Sequence, residues 1–197
     1  MEFRIVPQVC DPLTRLCNRR FLEESLEREL QLAGRKKHAI TVVFLDLDYF
    51  ERFHDAFGHD AGDMVLRSLA DPLRSFFGAT DICCRYGGEE FAIVVPESSS
   101  PDAAIGAGAL RSEVKRLRLQ YKKQALRSWI ACPLDRLRPR FRENGSTSDE
   151  LLKIADQCLS ESKARGRDLV TVALHHGRER LVDFTIDGAG RTETAGP

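Results

Sequence analysis

Asp46 ends the apolar, β-branched run Ala39–Leu45, and Glu89-Glu90 follow the paired glycines Gly87-Gly88. A carboxylate at the end of a buried strand is held rigidly, and two more opening a neighbouring strand can face it. Carboxylates from two adjacent strands suit Mg2+, which takes few protein oxygens and completes its octahedron with water and substrate phosphates. Each acid alone reads more simply as a solvated residue beside a turn; together they point to a metal site. Gly87 and Gly88 make the turn at the least, and their missing side chains also let a nucleotide lie against it. The segment Phe57-Gly58-His59-Asp60-Ala61-Gly62-Asp63 opens a helix, whose first amides favour anions or polar groups; an Asp N-cap is the equally good alternative. Lys163 and Arg167, four apart at a helix end, can meet phosphate oxygens, although cations there commonly just complement the helix dipole. His54 and His59 alone are too weak a pair for metal ligands. Neither G-x-x-x-x-G-K-[ST] nor G-x-G-x-x-G occurs, so P-loop and Rossmann sites have no support.

The elements that must hold these residues alternate. Asn18 can cap a helix to about Ala33, with Leu22, Leu26 and Leu30 on one face. Ala39–Leu45 has the profile of a central strand. Asp63–Phe77 predicts a helix through Val65, Leu66, Leu69, Leu73 and Phe76, kinked or divided at Pro72. Thr80–Tyr86 and Glu89–Val95 predict strands in a tight hairpin whose Gly-Gly turn takes positive φ. Helices near 103–119 and 149–164, strands near 124–131 and 168–174, and an Arg/Pro-rich loop over 133–148 follow. Beyond His175 the chain is polar and Gly/Thr-rich, and a loosely ordered tail is expected. The expected organisation is a linker over 1–10, one domain over 11–174 and the tail over 175–197.

The chain has 197 residues, 42% hydrophobic and 30% charged, enough for a real core and too apolar for wholesale disorder. Its longest apolar run is far short of the ~20 residues a membrane helix needs, and no signal-peptide pattern opens it. A cytoplasmic protein is therefore expected. Thirty basic residues balance thirty acidic ones. Locally, eleven Lys/Arg between Arg111 and Arg142 oppose only Glu113 and Asp135, while Asp46–Asp63 holds six acids and one Arg. The basic stretch has no interleaved aromatic platform, so it reads as a solvated surface and nucleic acid is not the expected partner. The six cysteines form no C-x-x-C, which suggests neither zinc nor a redox pair; buried thiols are expected.

Arg85-Tyr86-Gly87-Gly88-Glu89-Glu90-Phe91 resembles the signature hairpin of the GGDEF family of diguanylate cyclases, in its GGEEF form. The resemblance extends through Asp11-Pro12-Leu13-Thr14-Arg15-Leu16-Cys17-Asn18-Arg19-Arg20-Phe21, Asp46-Leu47-Asp48-Tyr49-Phe50, Gly58-His59-Asp60-Ala61-Gly62-Asp63, Ala155-Asp156 and Ser162–Arg167. It implies an α/β (α+β) fold, with a central, mostly antiparallel sheet flanked by helices, similar to the palm of nucleotidyl cyclases. It further implies that two such domains meet as a transient homodimer, each holding GTP. Each 3′-hydroxyl attacks the partner α-phosphate, yielding cyclic di-GMP and two pyrophosphates. By position, the resemblance assigns Mg2+ (or Mn2+) to Asp46, the Leu47 carbonyl, Glu89 and Glu90. Glu89 becomes the proton acceptor, with Glu90 beside it as a second catalytic carboxylate. Phe50, His54, His59, Asp63, Gly87, Gly88, Lys163 and Arg167 fall to substrate, Asp63 reading guanine.

The departures are as informative. The family usually places Lys five residues after the metal Asp, where this chain has Glu51. Its guanine-reading Asn is His54. The family's S-[IV]-G strand is Ser128-Trp129-Ile130, and its A-L-Y helix segment is Cys158-Leu159-Ser160. Its R-x-x-D product-binding motif keeps only Asp81, with Gly78 in place of Arg, which implies weakened product inhibition. The intact carboxylates favour an enzyme. Glu51 and His54 favour the alternative, a degenerate module that binds GTP or cyclic di-GMP and signals through protein contacts.

Overall fold

The computed structural model describes residues 9–36, 38, 40–97, 109–110, 119–121, 124–126, 134–138, 147–164, 172–174, 180–181, 184–186 and 192–194. The chain enters through β1 (Cys17–Asn18) into α1 (Arg19–Lys36), and Asn18 Oδ1 accepts the Phe21 amide at 3.0 Å, the expected cap. There follow β2 (Ile40–Asp46), α2 (Phe50–Phe57), α3 (His59–Phe76), β3 (Ile82–Arg85) and β4 (Glu90–Pro96). After β5 (Leu119–Tyr121), β6 (Gln124–Leu126) and β7 (Leu134–Arg138) comes α4 (Ser148–Ala164). The chain continues through β8 (Val172–Leu174), β9 (Arg180–Leu181), β10 (Phe184–Ile186) and β11 (Thr192–Thr194).

A seven-stranded sheet runs β1-β3-β4-β2-β7-β8-β9, parallel at β1/β3 and β7/β8 and antiparallel elsewhere. The mostly antiparallel expectation holds. Strand β2 is buried along its whole length, and its period-2 geometry sends alternate residues to two cores. Val43 and Leu45 join Phe91 and Ile93 of β4 against α2 and α3 through Phe50, Phe53, Val65, Leu66 and Leu69. Ile40, Val42 and Phe44 join Ala92 and Val94 against α1 and α4 through Leu22, Leu26, Leu151 and Leu159. Helices therefore cover both faces, and Asp46 shares the parity of the α1/α4 face.

Several local expectations change. Helix α3 begins at His59 after Gly58 (φ 86), so Asp63 lies inside the helix and is not its cap. Pro72 does not divide it. Proline removes one amide donor, but Val65, Leu66, Leu69, Ala70 and Leu73 are all buried, and packing holds the rod together. The short helix α2 lies in a stretch of the sequence where no element was predicted. The expected loop over 133–148 contains β7, paired with β2, although Leu134-Asp135-Arg136-Leu137-Arg138 lacks the apolar/polar alternation that announces a strand. Residues 175–197, expected as a loose tail, carry β9 and the antiparallel pair β10/β11. The expected helix near 103–119, apart from 109–110, and Ser128–Ile130 lie outside the described residues.

At α4 the sequence signal is local and complete. Thr147 Oγ1 accepts the Glu150 amide at 3.3 Å, and Glu150 Oε2 accepts the Thr147 amide at 3.2 Å, a reciprocal capping box. This fixes where α4 starts, and Lys163 then falls in its last turn beside the sheet.

Candidate metal and nucleotide site

In the antiparallel register of β2 and β4, Asp46 stands directly opposite Glu90. Cross-strand partners point to one face with Cβ atoms about 5 Å apart. Asp46 is 3% exposed, and its Oδ2 accepts Lys163 Nζ at 2.7 Å. Glu89 sits one residue earlier, in the turn. Burial, then the charge of Asp46, pushes the Glu89 carboxyl up to about 7, with Glu51 and Glu90 adding to the rise. Burial and Asp46 also raise Glu90. Burial alone would lower the Lys163 ammonium, but its hydrogen bond to Asp46 and the charges of Asp46, Glu90 and Glu89 raise it overall. The Lys163 ammonium thus meets Asp46 directly, with Glu89 and Glu90 near enough to feel both charges.

The turn carrying Glu89 is not the tight primed turn expected. Neither Gly87 nor Gly88 has positive φ, and the Tyr86 and Gly87 amides both donate to the Glu90 carbonyl, at 2.8 and 3.2 Å. At Gly87 a Cβ would lie 2.6 Å from Glu90 Oε2, so a side chain there would displace that carboxylate. At Gly88 a Cβ would meet nothing within 4 Å, so that face of the turn is open.

What braces the turn is Arg85. Its Nε and Nη2 donate to the Gly88 carbonyl at 3.1 and 2.7 Å, while Nη1 pairs with Asp11 Oδ2 at 3.3 Å. Asp11 Oδ1 in turn accepts the Thr14 amide and hydroxyl, both at 2.7 Å. Burial works to raise the Asp11 pKa, but the Thr14 hydrogen bonds and Arg85 outweigh it and hold the carboxyl below its ordinary value. These two supports were visible in the sequence only as motif letters without a role. Replacing Asp11 by alanine should cost about 2 kcal/mol in urea unfolding, since it removes hydrogen bonds to a charged acceptor. Because the folded pKa is depressed, this stabilisation is present above the unfolded value of about 3.9 and is lost as pH falls through the folded value. The difference between wild type and Asp11→Ala should accordingly shrink in acid.

The other expected site residues are placed as follows. The Leu47 carbonyl accepts the Phe50 amide at 3.2 Å, and the Phe50 side chain is buried in the α2/α3 core, which leaves only its backbone for substrate. His54 packs between Phe50 and His59, with ring centroids 4.3 and 4.7 Å away. Its Nε2 is shielded from solvent and, among the described residues, has no hydrogen-bond partner. It lies over Gly62, where a Cβ would come within 1.8 Å of it. His59 is exposed, and Asp63 lies 3.5 Å from Arg67 one turn on. Asp81 Oδ2 accepts the Gly78 amide at 2.8 Å. Arg167 lies outside the described residues.

Among the described residues, no three His, Cys, Asp or Glu side chains converge as a ready ligand set. The carboxylates still fit a divalent cation. Their mutual repulsion is what such an ion relieves, and few protein oxygens with phosphate and water completing the shell is the usual magnesium arrangement.

An antiparallel-centred sheet with helices on both faces and acids at the turn of its central hairpin defines a nucleotidyl-cyclase-like palm. The sequence profile described as "Diguanylate cyclase, GGDEF domain" matches residues 8–169, and the chain belongs to that family. It is 34% identical over 164 residues to the response regulator PleD of Caulobacter vibrioides, covering 82% of this chain and 35% of that protein. It is 37% identical over 161 residues to the diguanylate cyclase DosC of Escherichia coli, covering 81% of this chain and 34% of that protein. The chain thus spans about a third of these relatives. Among solved structures it resembles the diguanylate cyclase SiaD of Pseudomonas aeruginosa, solved with its activator SiaC, at TM-score 0.78 and 33% identity; 83% of this chain and 61% of that one are covered. The GGDEF domain of DgcB from Caulobacter crescentus, solved with c-di-GMP, matches at TM-score 0.78 and 30% identity, covering 83% and 92%. No helix among the described residues is long and apolar enough to cross a membrane.

Proposed function

We propose that this domain is a diguanylate cyclase, condensing two GTP into cyclic di-GMP and two pyrophosphates across a transient homodimer. The observation that carries this reading is the carboxylate pair Asp46/Glu90 on adjacent strands, with Glu89 beside it and Lys163 reaching in from α4. Asp46, the Leu47 carbonyl, Glu89 and Glu90 would hold Mg2+, or Mn2+, which lowers the 3′-hydroxyl pKa and screens phosphate charge when bound. Glu89 accepts the hydroxyl proton. Lys163 and Arg167 hold phosphate oxygens, and the open face at Gly88 admits the nucleotide. The base lies by α2 and α3, against His54, His59 and Asp63. The domain of residues 11–174 carries the activity and works in the cytoplasm. Dimerisation is tested by the rate itself: turnover per protein should rise with protein concentration, and a rate independent of concentration would contradict the homodimer.

One observation favours the second reading, a module with little catalysis: the Glu51 carboxylate adds negative charge at Glu89, where a cation is implied. The base pocket is similarly altered. Asparagine offers a donor and acceptor side by side, whereas imidazole presents them on different edges. His54→Asn should tighten GTP several-fold by calorimetry, the worth of about one hydrogen bond. Weaker binding in that variant would make His54 a positive adaptation.

Feedback should be weak for a separate reason. Asp81 is turned onto its own loop amide, and Gly78 offers no guanidinium to grip a phosphate or guanine edge. A Cβ at Gly78 would make only ordinary contacts, 3.6 Å to Asp81 Oδ2 and 3.9 Å to Thr80 Oγ1, so an arginine fits. Titration of cyclic di-GMP should show much tighter binding by Gly78→Arg than by wild type. Tight wild-type binding lost in Asp81→Ala would overturn this.

A further inference from the structure

Cys10 and Cys17 are far enough apart in sequence to escape any C-x-x-C search, yet they pair across an antiparallel bridge. The bonds around them define which kind of pair. The Asp11 amide donates to the Leu16 carbonyl, and the Asn18 amide donates to the Val9 carbonyl, both at 2.8 Å. Cys10 and Cys17 therefore occupy a non-hydrogen-bonded position, where Cα atoms approach to about 4.5 Å and the side chains are closest. That separation falls within the roughly 4.4–6.8 Å window that a disulfide spans. Both thiols are free and both residues are partly exposed. Cys17 has a second thiol neighbour, Cys84, its partner in the parallel β1/β3 register, but Cys84 is 0% exposed. An oxidant reaches the outer pair and not the inner one.

We propose that Cys10 and Cys17 are an oxidisable pair that closes to a disulfide under peroxide and clips the segment entering the domain onto β1. The Cys10 thiolate attacks hydrogen peroxide, taking one oxygen to form a sulfenic acid and releasing hydroxide. Cys17 sulfur then displaces the sulfenic oxygen as water, so two thiols and one peroxide give one disulfide and two waters. Reduction by a dithiol restores the pair, as suits a transient bridge in a reducing compartment. The loop that the bridge closes contains Asp11, the residue that holds Arg85 and through it the Gly88 carbonyl. Oxidation thus stiffens the support of the turn that carries Glu89.

The test needs no catalytic activity, so it stands apart from the proposed function. The full chain is reduced, exposed to hydrogen peroxide, alkylated and digested with trypsin without reductant. Arg15 lies between the two cysteines, so cleavage there leaves the peptide ending at Arg15 joined to the one beginning at Leu16 only if the bridge has formed. The expected product is that linked pair, two hydrogen masses below the sum, absent in Cys10→Ser and after dithiothreitol. Oxidised wild type should melt roughly 5 °C above reduced protein, a shift missing in Cys10→Ser. Two results would overturn the proposal: a Cys17–Cys84 bridge as the main product, or protein with a cooperative melt whose Cys10 and Cys17 stay unlinked.

Discussion

Asp46→Asn should lower turnover of GTP by about a thousandfold or more while the domain still unfolds cooperatively near the wild-type midpoint. The substitution keeps the volume of a residue that is 3% exposed, yet removes the charge that faces Glu90 and takes the Lys163 ammonium. Lys163 is the more exposed partner and can turn to water, so the structural cost is small. The catalytic cost is large, because electrostatic stabilisation of a transferring phosphoryl group is where a preorganised site gains most. Parallel urea melts and product assays distinguish the two. Comparable turnover in Asp46→Asn would remove the metal role from this carboxylate.

Glu51→Lys should move the other way, raising turnover on the order of tenfold or more. Glu51 is exposed in the first turn of α2, and its charge contributes to the elevated Glu89 carboxyl. A lysine there exchanges repulsion for attraction at a point where negative charge gathers, and Glu51→Gln should fall between the two. An unchanged or lower rate in Glu51→Lys, at saturating GTP, would mean that this position does not face the reacting phosphates.

Much of this arrangement was legible in the sequence because it rests on local rules. The strand ending at Asp46 follows from an unbroken apolar run and the strand opening at Glu90 from the Gly-Gly turn before it, while the opposition of the two acids comes from the β2/β4 pairing. The Asn18 cap is likewise a one-residue signal. Other features depend on contacts distant in the chain. The room that Gly87 leaves for Glu90, and Gly62 for His54, is a matter of side-chain approach, and the positive φ expected of the turn glycines was the wrong reason for them. Arg85 bracing Gly88 from Asp11 joins residues 74 positions apart. Strand β7 is not legible because Leu134-Asp135-Arg136-Leu137-Arg138 has no apolar alternation, and α2 because its apolar face of Phe50, Phe53 and Phe57 spans only two turns.

Catalysis by this domain is read most directly by incubating the purified chain with GTP and Mg2+ and separating the nucleotides by chromatography, with Asp46→Asn alongside. Cyclic di-GMP and pyrophosphate should appear in a ratio of one to two from wild type, and essentially none from the variant. GTP recovered intact from wild type that binds it, at every protein concentration, would contradict catalysis and leave a binding module.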